Sequence, residues 1–385
     1  MAERVLITGA RAPAALELAR SFAAAGLEVH MADCSRARMA RRSRIPAGVH
    51  RYASPRRERE QFAQDIRALV QTLNPVLIVP ACEEVFHLAA LVVEDLLDER
   101  LFAPCLGVLK RLHSKVEFIE ACRGLGLNVP NTWRLSDDDD LRRIGDRSRD
   151  LVFKPEFSRF GVCALVGAAP YRLAGVKPTE ERPWVMQQRI RGEDASFYAV
   201  ARDGRLSAFC AYRSSWRTAG GVAYAFAPAE VALAQDLRAI AETLAEKLVI
   251  RGQFACDFVV DDKGSPWLIE CNPRAVSGVH LFSAGGGLAN AILGRGVAVV
   301  DQTASAHIAA ALWRYGWLTA MREKRMQDWK RQRATGRDVL SAPNDKGPVT
   351  GALIDSLGYS LRALQTGVSL EEAMTADMEW NGEPL

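Results

Sequence analysis

Two acidic residues and an amide lie in one short stretch, each inside or just after an apolar run. Asp257 falls in residues 254–260, and Glu270 and Asn272 fall in or directly after residues 266–271. Residues 261–264 read Asp-Asp-Lys-Gly, which is typical of a hairpin turn. Side chains alternate along a strand, so Glu270 and Asn272 share a face, and pairing across the hairpin brings Asp257 beside them.

The chemistry of these three groups points to a metal ion. Carboxylate and amide oxygens suit Mg²⁺, a hard ion that keeps water ligands and shares its other positions with phosphate oxygens. A solvated acidic face is the alternative, but a carboxylate embedded in an apolar run is costly without a cation. Arg274 follows Asn272 by two residues and is placed to bind a phosphoryl group bidentately. The segment therefore predicts a magnesium and phosphate site, with Mn²⁺ as the alternative metal.

Composition sets limits on the class of protein. The chain has 385 residues, 49% of them hydrophobic and 25% charged, which predicts a globular protein of two or three domains. Its net charge of +4 is not concentrated in a recognisable nucleic-acid module, so no nucleic-acid partner is expected. No apolar run approaches the roughly 20 residues that cross a bilayer, so no membrane partner is expected either.

The cysteines and the first residues indicate a compartment. The eight cysteines include no Cys-x-x-Cys pair, which favours free thiols over disulfides or zinc. The chain opens on a predicted strand, residues 5–8, and not on the pattern of a signal peptide. A cytoplasmic location is therefore expected.

Residues 1–108 alternate predicted strands and helices, which favours a parallel sheet covered by helices. Residues 5–10, Val-Leu-Ile-Thr-Gly-Ala, followed by Asp33, are similar to the opening of a nicotinamide-binding dehydrogenase. The second and third glycines of that motif are missing after Gly9, so an NAD(P)-dependent oxidoreductase is the less favoured alternative. The helix N-terminus after Gly9 is still a candidate for binding an anionic substrate group.

The segment around the proposed metal ligands resembles the metal-binding end of the ATP-grasp fold. That pattern has an acid on one strand, then Glu-x-Asn-Pro-Arg, a small residue and Gly, and the matching residues here are Asp257, Glu270, Asn272, Arg274, Ser277 and Gly278. The resemblance implies a mixed α/β and α+β chain. We expect a Rossmann-like pre-ATP-grasp domain at residues 1–108, a two-subdomain ATP-grasp domain at 109–300 and a helical C-terminal extension at 301–385. The nucleotide-binding subdomain would cover 109–192, and the metal and substrate subdomain 193–300.

The same resemblance implies residues that bind ATP. Lys115 and Lys154 resemble the two phosphate lysines of the family. Residues 156–161 correspond to the loop that covers the phosphates, although this loop has one glycine and carries Arg159 instead. Residues 186–190 resemble the strand between the subdomains, whose backbone pairs with adenine. The candidates on the adenine and ribose side are Gln187, Gln188, Ile190, Glu193 and Asp194, with either acid able to bind the ribose.

The family resemblance also implies an activity. Members of its carbamoyl-phosphate-synthase-like and biotin-carboxylase-like branch activate a carboxylate as an acyl phosphate. We therefore expect an ATP- and Mg²⁺-dependent ligase that joins a small carboxylate to an amine, such as an amino acid, and releases ADP and phosphate. Arg274 and Lys154 would act on the transferred phosphoryl group. The alternatives are a carboxylase or carbamoyl-phosphate-forming enzyme, and a nucleotide-binding regulatory subunit.

Candidates for the substrate side are less closely tied to a motif. Arg213 lies in a predicted polar loop, residues 213–217, and could hold a substrate carboxylate. Ser277 and Gly278 could line the same pocket, and His280 is either a general base or a structural histidine. Glu83, at the start of a predicted helix, either contacts substrate or caps the helix. Family analogy alone suggests a homodimer.

Overall fold

The computed structural model describes residues 2–97, 99–137, 145–159, 164–218 and 221–385. The strands in these ranges are β1 Arg4–Thr8, β2 Glu28–Asp33, β3 Gly48–Arg51, β4 Leu77–Pro80, β5 Thr132–Leu135, β6 Leu151–Pro155, β7 Leu165–Val166, β8 Trp184–Gln188, β9 Glu193–Arg202, β10 Arg205–Arg217, β11 Ala223–Pro228, β12 Gly252–Val260, β13 Pro266–Asn272, β14 Ser305–His307 and β15 Gly336–Asp338.

The helices in the same ranges are α1 Pro13–Ala24, α2 Arg38–Arg41, α3 Arg59–Leu73, α4 Glu84–Val93, α5 Leu106–His113, α6 Lys115–Gly124, α7 Val231–Lys247, α8 Gly287–Leu293, α9 Ala309–Ala311, α10 Trp317–Arg322, α11 Met326–Thr335, α12 Gly347–Thr366 and α13 Leu370–Thr375. Short 3-10 helices occur at Gly145–Asp150, Pro170–Gly175 and Ser277–Leu281, and a π-helical turn occurs at Leu312–Gly316. In the part of the chain that the structure describes, no helix has the length and apolar character needed to cross a bilayer.

The predicted N-terminal sheet is present and parallel. Its strand order is β3-β2-β1-β4, and each pairing between neighbours is parallel. Strands β1, β2 and β4 are buried along almost their whole length, as expected when helices cover both faces. The carboxyl ends of these strands carry Thr8, Asp33 and Pro80, which lead into the loops that face the rest of the molecule.

Arg11, which precedes α1, already has carboxylate partners, and the anion site expected at the helix N-terminus after Gly9 stays a prediction. The backbone N–H of Arg11 donates to Asp33 Oδ2 at 2.9 Å, so this part of the helix N-terminus already has a carboxylate partner. The Arg11 guanidinium also pairs with Asp33 at 2.6 Å and with Asp377, near the C-terminus, at 2.7 Å. Two buried ion pairs therefore hold the Arg11 side chain beside the carboxyl end of β2.

A second, antiparallel sheet has the order β5-β8-β6-β7, and a third has seven strands in the order β13-β12-β9-β10-β11-β14-β15. Strands β5 to β8 lie within the predicted nucleotide-binding subdomain. Strands β9 to β13 lie within the predicted metal subdomain. A shared apolar core joins the N-terminal domain to the seven-stranded sheet, since Ile7, Phe22, Tyr198 and Phe282 belong to one buried cluster.

Two local predictions differ from the structure. The polar loop expected at residues 213–217 is instead the end of β10, because Trp216 is buried against Tyr224 and Trp329 and keeps the strand paired with β11. The C-terminal extension at residues 301–385, which was expected to be helical, begins with a strand, Ser305–His307. That strand, β14, pairs with the edge of β11 and so satisfies its exposed backbone groups. The C-terminal extension is therefore not entirely helical.

The cysteines agree with the sequence reasoning over the described residues. Seven of them are free, and all of these except Cys105 are buried. The eighth, at position 163, lies outside the described residues. The buried thiols pack as small apolar groups within the core.

Candidate nucleotide and metal site

The hairpin of β12 and β13 places two carboxylates face to face. Asp257 is directly opposite Glu270 in the antiparallel register, and Asn272 is opposite Ala255. The Asn272 amide donates to Asp257 Oδ2 at 3.0 Å, and the Ser196 hydroxyl donates to Asp257 Oδ1 at 2.7 Å. The predicted pairing of Asp257 with Glu270 and Asn272 is thus confirmed.

The two carboxylates differ in their electrostatic surroundings. Burial and the neighbouring Glu270 charge raise the pKa of Asp257. Burial also opposes the ionisation of Glu270, but the Lys154 and Lys115 ammonium groups outweigh it and lower the pKa of Glu270 to about 2. Repulsion between adjacent carboxylates is what a bound divalent cation relieves, so the donor set fits Mg²⁺. No group of three or more Asp, Glu, His or Cys side chains is placed to hold a metal in the described ranges, so this candidate depends on two carboxylates and an amide.

Lys154 connects the small sheet to the metal hairpin. Its ammonium group, nearly buried on β6, lies 2.8 Å from Glu270 Oε2 on β13. An ammonium has three donors, so the contact with Glu270 leaves capacity for a phosphate oxygen. The predicted phosphate lysine therefore lies beside the predicted metal ligand.

The side chain of Lys115 is buried, so this residue is not a solvent-exposed lysine on a helix surface. It begins α6, whose N-cap Ser114 accepts a hydrogen bond from the Glu117 N–H. Its ammonium donates to the carbonyl of Glu156 at 3.0 Å and to the carbonyl and hydroxyl of Ser158 at 3.2 Å each. Burial and the nearby Lys154 charge lower its pKa to about 8, although Glu270 acts in the opposite direction. Lys115 thus supports the start of the predicted phosphate loop, of which Phe160 and Gly161 lie outside the described residues.

Glu83 holds two arginines at the same site. Its carboxylate is almost fully buried and lies 3.2 Å from Arg159 Nε and 3.5 Å from Arg274 Nε. Arg274 also donates to Asn272 Oδ1 at 3.1 Å, which links this cluster to the proposed metal ligands. Burial opposes ionisation of Glu83, yet the two guanidinium groups lower its pKa. A carboxylate from the N-terminal domain therefore compensates the charges of two predicted phosphate-binding residues.

The strand expected to pair with adenine is largely used by its own sheet. β8 lies between β5 and β6, and the Gln188 N–H donates to the carbonyl of Asn131 at 2.7 Å. The Gln187 side chain donates to Thr132 Oγ1 at 3.0 Å, and the Gln188 side chain accepts from the Asn131 N–H at 3.3 Å. The Gln188 N–H is therefore used by strand pairing, and an adenine contact of the backbone around Gln188 and Ile190 stays a prediction. Ile190 lies two residues beyond the end of β8.

The choice between Glu193 and Asp194 as the ribose ligand is still a prediction. Glu193 and Asp194 begin β9 and are exposed, and each has an arginine partner: Arg213 at 3.1 Å from Glu193 and Arg217 at 3.4 Å from Asp194. Arg213 also pairs with Glu230 at 2.9 Å. Because two carboxylates already bind its guanidinium, Arg213 is better described as a residue that orients Glu193 than as a free substrate ligand.

The 3-10 helix Ser277–Leu281 packs against the seven-stranded sheet. A Cβ atom at Gly278 would lie 2.6 Å from the Cβ of Tyr198, so only glycine fits there. His280 is buried, its Nδ1 lies 3.1 Å from Glu17 Oε2, and its ring stacks on Phe226. These contacts favour the structural alternative for His280 over the general base.

Sequence reasoning missed two serines at the site. Ser196 binds Asp257, and it is a polar residue within the buried stretch of β9, residues 195–201, which was the available signal. Ser114 donates to Glu156 Oε1 at 2.5 Å, and its spacing from Glu117 is that of a helix N-cap. Both positions could have been selected as polar residues next to predicted site residues.

Comparison with known proteins identifies the domain. Residues 112–278 match the family model of an ATP-grasp domain. A comparison with curated proteins found no match. The biotin carboxylase domain of the Hydrogenobacter thermophilus 2-oxoglutarate carboxylase, solved with MgADP and bicarbonate, is 14% identical, covers 78% of this chain and 72% of its own, and has a TM-score of 0.61.

Two further solved structures share the fold. Phosphoribosylamine–glycine ligase from Thermotoga maritima is 20% identical over 75% of this chain and 74% of its own, with a TM-score of 0.57. The L-amino acid ligase from Bacillus licheniformis is 14% identical over 75% of this chain and 74% of its own, with a TM-score of 0.56. Residues 112–278 are therefore an ATP-grasp domain, the domain of ATP-dependent ligases that form carbon–nitrogen bonds with ATP and Mg²⁺.

Proposed function

We propose that this protein is a carboxylate–amine ligase that activates a small carboxylate as an acyl phosphate and joins it to an amine, such as an amino acid. The observation that carries the proposal is the paired Asp257 and Glu270, with Asn272 beside them and Lys154 2.8 Å from Glu270. This arrangement supplies both metal ligands and phosphate-binding cations at one place, as phosphoryl transfer requires.

The reaction forms two bonds between heavy atoms and breaks two, and one N–H proton is released to water. A carboxylate oxygen of the first substrate attacks the γ-phosphorus of ATP, and the bond from that phosphorus to the oxygen of ADP breaks. The amine nitrogen then attacks the acyl carbon, the bond from this carbon to the phosphate oxygen breaks, and the nitrogen loses a proton. The products are an amide, ADP and phosphate.

The protein's part is to position the groups and to neutralise charge. Lys154, Lys115 and Arg274 would bind the phosphate oxygens, on which negative charge spreads during transfer. Mg²⁺ held by Asp257, Glu270 and Asn272 would add to this charge neutralisation. Ile190 would contact adenine, and Glu193 or Asp194 the ribose. Arg159 would cover the phosphates from the loop that follows β6.

Glu83 supports an additional proposal for the acceptor side. Its carboxylate binds Arg159 and Arg274 from the N-terminal domain, so it stands where that domain meets the phosphate-binding residues. We place the substrate carboxylate near these arginines, with Ser277 and Gly278 on the adjoining 3-10 helix.

The test is ADP and phosphate release from Mg-ATP with pools of amino acids and small carboxylic acids, bicarbonate included. Glu270→Gln is measured alongside, and Glu246→Gln, an exposed acid on α7, is the matched control. Pool-dependent turnover that is lost in Glu270→Gln and kept in Glu246→Gln supports the ligase. Turnover with bicarbonate alone would point to the carboxylase alternative. ATP binding without turnover would point to the regulatory alternative, and failure to bind ATP would contradict the proposal.

A further inference from the structure

A second cluster of positive charge lies far from the ATP-grasp site. A cavity of about 700 Å³ is open between the N-terminal domain and the seven-stranded sheet. Four arginines line it, Arg100, Arg202, Arg251 and Arg295, together with one acid, Glu99, and several aliphatic side chains. Arg251 directly precedes β12, six residues before Asp257, so the cavity lies about 20 Å along the strand from the proposed metal ligands.

Two of these arginines lie close together around one aromatic side chain. The guanidinium carbons of Arg202 and Arg251 are 5.6 Å and 5.5 Å from the centre of the Phe102 ring, so both charges contact one aromatic side chain. Their hydrogen bonds go to backbone carbonyls: Arg202 to Ile292 at 2.5 Å, and Arg251 to Leu101 at 2.7 Å. Among the residues that the structure describes, neither forms an ion pair with an acid.

The local electrostatics agree with this geometry. Burial and the Arg202 charge lower the pKa of Arg251, while the nearby Asp203 and Glu99 carboxylates act in the opposite direction. Arg295 has one carboxylate partner, Glu3, at 2.6 Å, and both side chains are about half exposed. Arg100 donates to Asn74 Oδ1 at 3.1 Å at the same opening. Arg202 and Arg251 thus bring to the cavity two guanidinium groups that donate hydrogen bonds to backbone carbonyls.

We infer that this cavity is a binding site for a small molecule that carries a phosphate or diphosphate group. Guanidinium groups bind phosphate through paired, charge-assisted hydrogen bonds, and several arginines around one opening match a group with several anionic oxygens. The volume lies in the range of pockets that enclose a nucleotide-sized ligand. The inference does not depend on the ligase proposal, because it uses none of the ATP-grasp residues.

The experiment is calorimetric titration of the full chain with pyrophosphate at low ionic strength and without Mg²⁺. Because Lys154, Lys115 and Arg274 also attract phosphate, the titrations use Lys154→Gln as the background, which weakens the ATP-grasp site, and the arginine variants then identify the heat that comes from the cavity. In that background we add Arg202→Gln or Arg295→Gln, and Arg238→Gln, on the exposed side of α7, is the matched control. Arg295 is exposed, so its substitution tests the site with little risk to folding, which melting curves check for every variant.

We expect one pyrophosphate site in Lys154→Gln that weakens by about tenfold in either added arginine variant and is unchanged with Arg238→Gln. Binding should also weaken as salt is raised. A parallel titration uses citrate, an anion of comparable charge that contains no phosphorus. Absence of pyrophosphate binding in Lys154→Gln, or binding unaffected by both arginine variants, would overturn the inference. Equal or tighter binding of citrate at the same site would overturn the assignment to phosphate.

Discussion

Asp257 and Glu270 face each other across one antiparallel pair, and only Glu270 has a lysine partner. Lys154 is 2.8 Å from Glu270, whereas Asp257 receives neutral donors from Ser196 and Asn272. Burial and the charge of its neighbour therefore raise the pKa of Asp257 while the pKa of Glu270 is lowered to about 2. The pair is poised to gain stability from a cation placed on the Asp257 side.

The first prediction concerns metal binding and stability. Asp257→Asn removes a charge that is unfavourable without a metal, so the variant should melt at the same temperature as the parent or higher when Mg²⁺ is absent. With Mg²⁺ and a non-hydrolysable ATP analogue, the parent should be stabilised and Asp257→Asn should not. Asp236→Asn, on α7, is the control. A parent protein without any Mg²⁺-dependent shift would argue against the metal site.

The second prediction follows from Lys115, whose pKa is lowered to about 8. The charged form binds phosphate, so ATP affinity should be full below pH 8 and should fall as the pH rises through about 8. Arginine stays charged over this range, so Lys115→Arg should flatten the pH profile. Fluorescent-nucleotide titration from pH 6.5 to pH 9.5 measures both. An unchanged slope in Lys115→Arg would assign the dependence to another group.

The third prediction concerns Glu83, the buried partner of Arg159 and Arg274. Glu83→Gln removes the charged carboxylate that lies beside both guanidinium groups, which should cost about 3 kcal/mol in the free energy of unfolding. Glu230→Gln breaks the exposed pair with Arg213 and should cost less than about 1 kcal/mol. Urea denaturation of both variants provides the comparison. A loss of unfolding free energy in Glu83→Gln as small as that in Glu230→Gln would contradict the prediction.

The fourth prediction concerns packing at Gly278. Gly278→Ala would place a methyl group 2.6 Å from the Tyr198 Cβ and should destabilise the protein by about 1–3 kcal/mol. Gly358→Ala, on α12 with open space around it, should instead be neutral or stabilising by up to about 1 kcal/mol. The melting temperature of Gly278→Ala should therefore fall, and that of Gly358→Ala should stay the same or rise. Activity per folded molecule then reports whether the 3-10 helix lines the active site.

Much of the site could be read from residue order, because its ligands lie on two strands joined by a short turn. Period-two alternation and the Asp-Asp-Lys-Gly turn together determine that Asp257 pairs with Glu270 and that Asn272 lies on the same face. The parallel N-terminal sheet was also predicted from a local pattern, the alternation of predicted strands and helices along residues 1–108. These are local rules, so a single sequence suffices for them.

Groups that come from distant segments could not be assigned this way. Residue spacing does not show that Glu83 reaches Arg159 and Arg274, or that Arg11 pairs with Asp33 and Asp377. The same is true of Arg213, which the sequence placed in a loop and which the structure binds between Glu193 and Glu230. Ion pairs between segments depend on how the domains pack.

The sequence by itself was enough to recognise the ATP-grasp motif, to predict the hairpin and to select the two candidate phosphate lysines. The tertiary structure alone decided which of these charges are compensated and which backbone groups are already paired. Lys115 is buried and its pKa lowered, Gln188 is committed to its sheet, and Arg202 and Arg251 lie together around Phe102. The physical reason is that burial and charge compensation depend on neighbours in space, whereas strand alternation and turn formation depend on neighbours along the chain.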